Sequence, residues 1–204
     1  MGRFLLFSLL ALAVAGLSSC SRPTKVDTTR YSKPDHTYSR ILVVGLSNDL
    51  SRRYRYETTM TAALRRTGNE AWASSAILDS GVDLTPETVR AAAQQVDADA
   101  VLVTRLVNQH VKTTEIEGRT RVKTRRKNET PLDFFRYDYN EYDEPGYVLL
   151  SSDVELRTDV YATSDGRLLE TIDTLTYDKE TEFEVLNEAT EAIVRQLRRD
   201  RLVR

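Results

Sequence analysis

The sequence predicts an α/β domain in which a small mixed sheet is flanked by helices. Residues 41–46 are a short continuous apolar run, which is typical of a strand buried on both faces. Apolar residues with helical spacing follow it directly. Further on, Asp165-Gly166 separates two alternating segments and so predicts a β-hairpin. The predicted order is βαβαβ, a polar insertion, a β-hairpin and a closing helix.

An amphipathic helix follows the first strand. Gly68 is placed to end this helix, because glycine readily adopts the left-handed conformation found there. Residues 71–78 then predict a second strand. The apolar face of the helix consists of Tyr56, Met60, Ala63 and Leu64.

The second helix begins at a strong start signal. Thr85 supplies a hydroxyl cap, Pro86 takes the first position and Glu87 lies in the first turn. Residues 101–103 form the third strand. Strands that alternate with helices predict parallel pairing with right-handed crossovers.

The last third of the chain predicts a half-buried hairpin and a final helix. Apolar and polar residues alternate from 153 to 162, and residues 168–177 form the return strand. Thr181 and Glu184 have the spacing of a capping box, which begins the helix. Its core face consists of Leu186, Ala189, Thr190, Ile193 and Leu197.

The N-terminus has the pattern of a secretory signal peptide. Arg3 precedes an apolar stretch from 4 to 17 that is too short for a membrane-spanning helix. The ending Leu-Ser-Ser-Cys resembles the lipobox of bacterial lipoproteins. This resemblance implies cleavage between Ser19 and Cys20 and a lipid on Cys20, the chain's single cysteine. Since serine rather than aspartate follows the cysteine, it also implies an outer-membrane anchor facing the periplasm.

Composition divides the rest of the chain into a tether and one domain. Residues 20–39 contain no apolar run and predict a lipidated N-terminus with a flexible tether. Residues 40–204 suit a single domain, with a polar, aromatic insertion at 108–147. The formal net charge of −2 gives no indication of a nucleic-acid partner.

The order of elements, together with the lipobox, resembles a small α/β domain of envelope proteins. It is shared by lipoprotein activators of penicillin-binding proteins, the N-terminal domain of the Tol-system β-propeller protein and the curli-secretion lipoprotein. The likeness spans about residues 40–204 and is carried by 41–44, 98–103, 165–166 and 193–197. It implies binding to other envelope proteins and implies no catalysis.

Few residues are candidates for chemistry. His110 stands alone, no nucleophile or phosphate-loop motif occurs, and acylation of Cys20 would leave no thiol. We therefore expect no catalytic residue, no metal and no cofactor. Four carboxylates lack the spacing of an EF-hand loop and favour a solvated loop, namely Asp138, Glu141, Asp143 and Glu144.

The insertion contains the candidate binding surface. Four cations at alternate positions would share one face of a strand, and aromatic residues follow them. One interpretation is a polar ribbon with its aromatics packed beneath it. The other is a recognition surface for a protein, a glycan or an anionic headgroup. The candidates are Arg119, Arg121, Lys123, Arg125, Tyr137, Tyr139 and Tyr142.

Three hypotheses about function follow. The first is a non-enzymatic adaptor, held to the membrane by the lipid on Cys20 and docking an envelope protein. The second is a self-assembling structural subunit of an envelope complex. The third is a hydrolase that acts on cell-wall glycan or peptide.

Overall fold

The computed structural model describes residues 22–34, 36–116 and 147–204 in full, and the backbone of 119–126 and 137–144. Ser19 and Cys20 lie outside the described residues. The strands within this part are β1 Lys25–Arg30, β2 Arg40–Leu46, β3 Glu70–Ala73, β4 Ala100–Ile116, β5 Arg119–Arg126, β6 Tyr137–Glu144, β7 Tyr147–Ala162 and β8 Leu168–Lys179.

Three of the four described helices begin at polar caps. Asp49 accepts hydrogen bonds from the backbone N–H groups of Ser51 and Arg52, and Thr85 and Thr181 each open a helix with a capping box. These side chains satisfy N–H groups that have no partner inside the helix. The helices are α1 Leu50–Arg66, α2 Ser74–Ile77, α3 Pro86–Gln95 and α4 Glu182–Arg199.

Six strands form one mixed sheet in the order β1-β8-β7-β4-β2-β3, and β5 pairs with β6 in a separate ladder. β2 runs parallel to β3 and β4, whereas β4, β7, β8 and β1 pair antiparallel. The predicted α/β class with a mixed sheet is confirmed. The crossover helices account for the parallel half, and the Asp165-Gly166 hairpin accounts for the antiparallel pairing of β7 with β8.

Helices cover the two faces of the sheet unequally. α1 and α4 pack on one face, where Met60, Leu64 and Ile193 are fully buried in the main core. α3 covers part of the other face, and its Ala92 and Ala93 pack with Leu42 and other residues in a smaller cluster. The remainder of that face, on β7, β8 and β1, carries half-buried charged residues. The functional features described below lie at one end of this layered domain.

Part of the predicted flexible tether at 20–39 is ordered, so that prediction is wrong for the residues of β1. β1 pairs with β8 from Lys25↔Leu175 to Arg30↔Glu170. Further along, Tyr38 is buried at 2% exposure. β1 is an edge strand, exposed along most of its length, so its pairing rests on backbone hydrogen bonds and leaves no apolar run in the sequence.

The predicted strand at 71–78 is shorter than expected, because α2 replaces its second half. β3 ends at Ala73 and α2 begins at Ser74, which is fully buried. The Ser74 hydroxyl donates to the Glu57 carboxylate at 2.6 Å. This contact turns the chain away from the sheet, and an apolar pattern that short does not distinguish a strand from a buried helix turn.

A buried carboxylate under the C-terminal end of α4 makes stability dependent on pH. Glu170 is 1% exposed, and neither of its side-chain oxygens makes a hydrogen bond, although Arg30 Nε lies 3.5 Å from Oε2. Burial, followed by the neighbouring Asp200, raises the pKa of Glu170 to about 7, although Arg30 opposes this shift. The ionised form is therefore unfavourable in the folded protein.

Replacing Glu170 by Gln should stabilise the protein at high pH only. Because the folded pKa lies above the ordinary value of 4.5, the wild type loses stability as pH rises from that value towards 7. Below it, the variant should match the wild type, and above pH 7 it should gain about 1–3 kcal/mol. Urea unfolding at several pH values measures the difference, with the exposed Glu191→Gln as control. A difference that does not change with pH would contradict the prediction.

Candidate binding surface

A two-stranded arm extends from one end of the sheet. β4 and β7 stay paired as far as Ile116↔Tyr147. Their neighbours stop earlier, since β2 ends at Leu46 opposite Arg105 and the β8 pairing ends at Ser152↔Lys179. We call residues 108–116 and 147–151 the arm. β8 still flanks β7 as far as Ser152, which pairs with Val111, so five residues of β4 extend beyond the sheet. At about 3.4 Å per residue they reach roughly 17 Å.

A β-bulge marks the base of the arm. The register shifts between Leu106 and Asn108, so Val107 is the extra residue on β4. A bulge bends a strand and increases its twist. The arm therefore leaves the sheet at a local irregularity rather than as a straight continuation. Residues 108–147, predicted as an insertion, contribute the outer part of β4, the start of β7, and β5 and β6.

β5 and β6 pair antiparallel from Arg119↔Glu144 to Arg126↔Tyr137, and we call this pair the distal ladder. Its first pair lies three positions beyond Ile116↔Tyr147 on both strands, so the two ladders share one pairing offset. The sequence carries a signal for this ladder in its Thr, Val and Tyr residues, which favour strands. The signal lacks an apolar alternation, which is the pattern of a strand with one face on a core.

The register divides the candidate residues between two faces. Residues directly opposite each other share a face, and the four cations at alternate positions of β5 therefore share one. Tyr142 pairs with Arg121 and belongs to that face. Tyr137 and Tyr139 pair with Arg126 and Thr124 and belong to the other face. The backbone thus brings Arg119, Arg121, Lys123, Arg125 and Tyr142 together and separates them from the other two tyrosines.

The acidic residues of β6 are also divided. Asp138 and Glu144 pair with Arg125 and Arg119 and share the cationic face. Glu141 pairs with Val122, which places it and the alternating Asp143 on the opposite face. These four carboxylates therefore do not converge on one face of the ladder. Where side chains are described, no group of three or more His, Cys, Asp or Glu residues is arranged to hold a metal ion.

A cleft of about 360 Å³ lies where the arm leaves the domain. It opens at the carboxyl end of β2, where β4 continues into the arm, between the first turns of α1 and α4. In open α/β sheets this position commonly binds ligands. Its apolar lining is Leu46, Leu106, Val154, Leu156, Val185 and Leu186, and its basic lining is Arg52, Arg53, Arg105 and Lys179.

A buried ion pair holds one wall of the cleft. Glu57 is fully buried, and its carboxylate accepts from the Arg53 guanidinium at 3.1 Å and from the Gly45 backbone N–H at 2.8 Å. It also accepts from the Ser75 backbone N–H at 2.7 Å. Arg53 in turn donates to Ser74 at 2.9 Å. One carboxylate therefore connects β2, α1 and α2. The sequence signal for this ion pair is the spacing of Arg53 and Glu57, four residues apart in a predicted helix, next to Tyr56 on its core face.

Gly45 is required where β2 passes beneath α1. A Cβ atom at this position would lie 3.1 Å from Tyr56 Cδ1 and 3.5 Å from Glu57 Cγ. Glycine therefore permits the close approach that brings its N–H to the Glu57 carboxylate. The run at 41–46 contains this glycine for a packing reason that the apolar pattern does not reveal.

Hydroxyl groups form part of the cleft floor. The Tyr56 hydroxyl donates to Thr104 Oγ1 at 2.5 Å, and Thr104 is 2.8 Å from Thr158 Oγ1 on the next strand. Burial raises the pKa of Tyr56 well above its ordinary value. This phenol stays protonated at physiological pH and serves as a fixed hydrogen-bond donor.

The basic groups around the cleft are mostly paired. Lys179 Nζ lies 2.5 Å from Glu188, and Arg55 beside the opening binds Glu182 across the α1–α4 contact at 3.1 Å. Arg52 lies 3.5 Å from Asp49. His110 is opposite Asp153 in the register and does not line the cleft. The cleft lining combines apolar surface with both signs of charge, since Glu180 and Glu182 lie beside the basic residues. It therefore suits a largely apolar group.

Two solved structures are among those similar to this chain. The PelC dodecamer from Paraburkholderia phytofirmans is 10% identical with a TM-score of 0.46, and the match covers 89% of this chain and 99% of that one. Lipoprotein GNA1162 from Neisseria meningitidis is 14% identical with a TM-score of 0.43, covering 79% and 99%. At these identities the likeness concerns the fold.

No protein-family model matches the sequence, and no curated protein matches it. Within the described ranges, no helix is long and apolar enough to cross a membrane.

Replacing Glu57 by Ala should destabilise the protein by about 3–5 kcal/mol, because it leaves the Arg53 guanidinium buried without its partner. Glu57→Gln should cost less, since an amide oxygen can still accept from the surrounding N–H groups. The exposed pair provides a matched control, and Glu182→Ala should cost about 1 kcal/mol or less. Chemical denaturation measures all three variants. Equal losses for Glu57→Ala and Glu182→Ala would contradict the assigned role of Glu57.

Proposed function

We propose that this protein is a lipid-anchored lipoprotein of the bacterial outer membrane. In this proposal, its periplasmic α/β domain is a non-enzymatic adaptor that docks another envelope protein through the distal ladder. The observation that carries the proposal is the register of β5 and β6, which groups Arg119, Arg121, Lys123, Arg125 and Tyr142 on one face.

The charge of that face supports an acidic protein partner. Four cations share it with only two carboxylates, Asp138 and Glu144, whereas the opposite face carries one cation, Arg126, and two carboxylates. Arg and Tyr are enriched at residues that dominate protein interfaces. A cationic face of this kind steers association with a partner of opposite charge and contributes to specificity.

The anchor rests on the N-terminal pattern. A short apolar segment, small residues and the single Cys20 agree with a lipoprotein signal peptide. Ser21 in the following position favours the outer membrane by the same resemblance. The adaptor would thereby act at a fixed distance from one membrane.

Replacing Cys20 by Ala should abolish lipid attachment, because the thiol is the acceptor of the diacylglycerol group. Metabolic labelling with a fatty acid, followed by membrane fractionation, measures both effects. The variant should carry no label and should leave the membrane fraction. Equal labelling of the variant and the wild type would contradict the lipoprotein assignment.

Neutralising the cationic face should weaken partner capture. We expect Arg119→Gln, Arg121→Gln, Lys123→Gln and Arg125→Gln, combined, to reduce cross-linking to the partner about tenfold. The melting temperature should change little, since exposed charges contribute weakly to folding. Formaldehyde cross-linking in intact cells, with mass spectrometry of the adducts, identifies and quantifies the partner.

The opposite face provides a matched control. Thr120→Glu, Thr124→Glu and Arg126→Glu, combined, change the net charge by the same amount but lie on the other face of the ladder. This control should retain the adduct. Equal loss in both variants, or a loss of thermal stability that accompanies the loss of adduct, would contradict the proposal. Adducts consisting only of copies of this chain would favour the self-assembling subunit instead.

A further inference from the structure

The chain enters the domain at the end of the sheet that carries the arm. Lys25 lies opposite Leu175, which lies opposite Glu155, which lies opposite Asn108 at the base of the arm. The preceding residues continue in the same direction. Thr24 hydrogen-bonds to Thr176 at 3.2 Å, and the Arg22 guanidinium lies 5.8 Å from the centre of the Tyr177 ring.

Covalent connectivity limits how far Cys20 can be from this end. Cys20 precedes Arg22 by two residues, and consecutive Cα atoms are about 3.8 Å apart, so the two Cα atoms are within about 8 Å of each other. From Lys25 the strands run back about 24 Å to the opposite end of the sheet. The chain between Arg22 and Cys20 is too short to place the lipid at the opposite end of the domain.

Exposed apolar side chains are concentrated at the same end. Among the described residues, every exposed large apolar side chain except Tyr31 lies on the arm, at the carboxyl end of β2, at the β4 bulge, or in the first two turns of α1 and α4. The most exposed is Phe183, at 73%. Exposed apolar groups gathered in one region indicate a protein or membrane contact.

The arm exposes apolar groups on both of its faces. Tyr147, Val148, Leu149 and Leu150 are consecutive, so they alternate between the faces, and each is exposed by at least 36%. A protein docked on one face would cover only every second residue. The membrane interface, where headgroups meet the first acyl carbons, can surround the arm and contact all four side chains, which favours a lipid surface over a protein groove.

We propose that the arm end is a membrane-contact surface, which lies in the headgroup region of the bilayer that holds the Cys20 lipid. This inference rests on the lipidation in the proposed function. Exposed Arg22, Arg52 and Arg105 lie at the same end and suit anionic headgroups. The arm stays above the hydrocarbon core, because the outer edges of a two-stranded ladder carry unpaired backbone groups that need water or polar partners.

This orientation places the distal ladder along the membrane surface. The arm begins beside the anchor and extends beyond it, so its outer part cannot project freely into the periplasm. A partner that the ladder docks would then expose its acidic surface close to the same membrane.

Site-specific fluorescence tests the orientation. Acylation of Cys20 leaves no other cysteine in the chain, so Leu150→Cys and Tyr31→Cys each provide one labelling site in the full lipidated protein. The two positions are matched in exposure, at 57% and 60%, and lie at opposite ends of the domain. The labelled proteins are reconstituted into vesicles of phosphatidylethanolamine and phosphatidylglycerol that contain nitroxide headgroup lipids. No partner protein is present.

We expect the nitroxide to quench the label at Leu150→Cys at least about threefold more than the label at Tyr31→Cys. Iodide in the aqueous phase should show the reverse order. With the Cys20 lipid verified by mass spectrometry, equal quenching at both positions would overturn the orientation and leave the anchor intact. Absence of the lipid, seen as a second label on Cys20, would overturn the proposed anchor and this inference together.

Discussion

The antiparallel pairing of β4 with β7 is the constraint on which the rest of the structure depends. It joins the parallel strands, built by helical crossovers, to the antiparallel strands of the hairpin, and it continues outward as the arm. Backbone hydrogen bonds maintain this pairing both within the sheet and along the arm, but the side chains that add to its stability differ between the two parts. Between Ala100 and Thr104 it is reinforced by buried side chains, whereas beyond Asn108 it depends on backbone hydrogen bonds and cross-strand pairs.

The elements that were predictable from sequence are those whose signals are local. The run at 41–46, the Thr85 start signal and the Thr181 capping box each satisfy a requirement of neighbouring residues, and the structure contains all three elements. Burial imposes an apolar pattern, and an unpaired helix N-terminus selects a capping side chain. These requirements leave a trace in a single sequence because the interacting residues lie within one element.

Two kinds of interaction leave less trace in the sequence. One is the pairing of exposed strands, and the other is polar contact between elements that are distant along the chain. β1 is stabilised by the free edge of β8, more than a hundred residues away, and its own composition resembles a linker. Glu57 is recognisable only once Gly45, Ser74 and Ser75 converge on it. In the candidate surface, alternation predicted the shared face of the four cations, but assigning Tyr142 to that face and the other tyrosines to the opposite face required the register.

The bulge at Val107 determines which side of the arm each residue occupies. Below it, even-numbered residues of β4 such as Thr104 and Leu106 face α1 and α4, and above it odd-numbered residues such as Gln109 and Val111 do. A strand has a two-residue period, so one extra residue exchanges the two faces of everything that follows. Losing a single codon here would turn His110 and Lys112 towards the helices and invert the arm while leaving its composition almost unchanged. One extra residue at the base of the arm thus determines which side chains of the whole arm lie on each face.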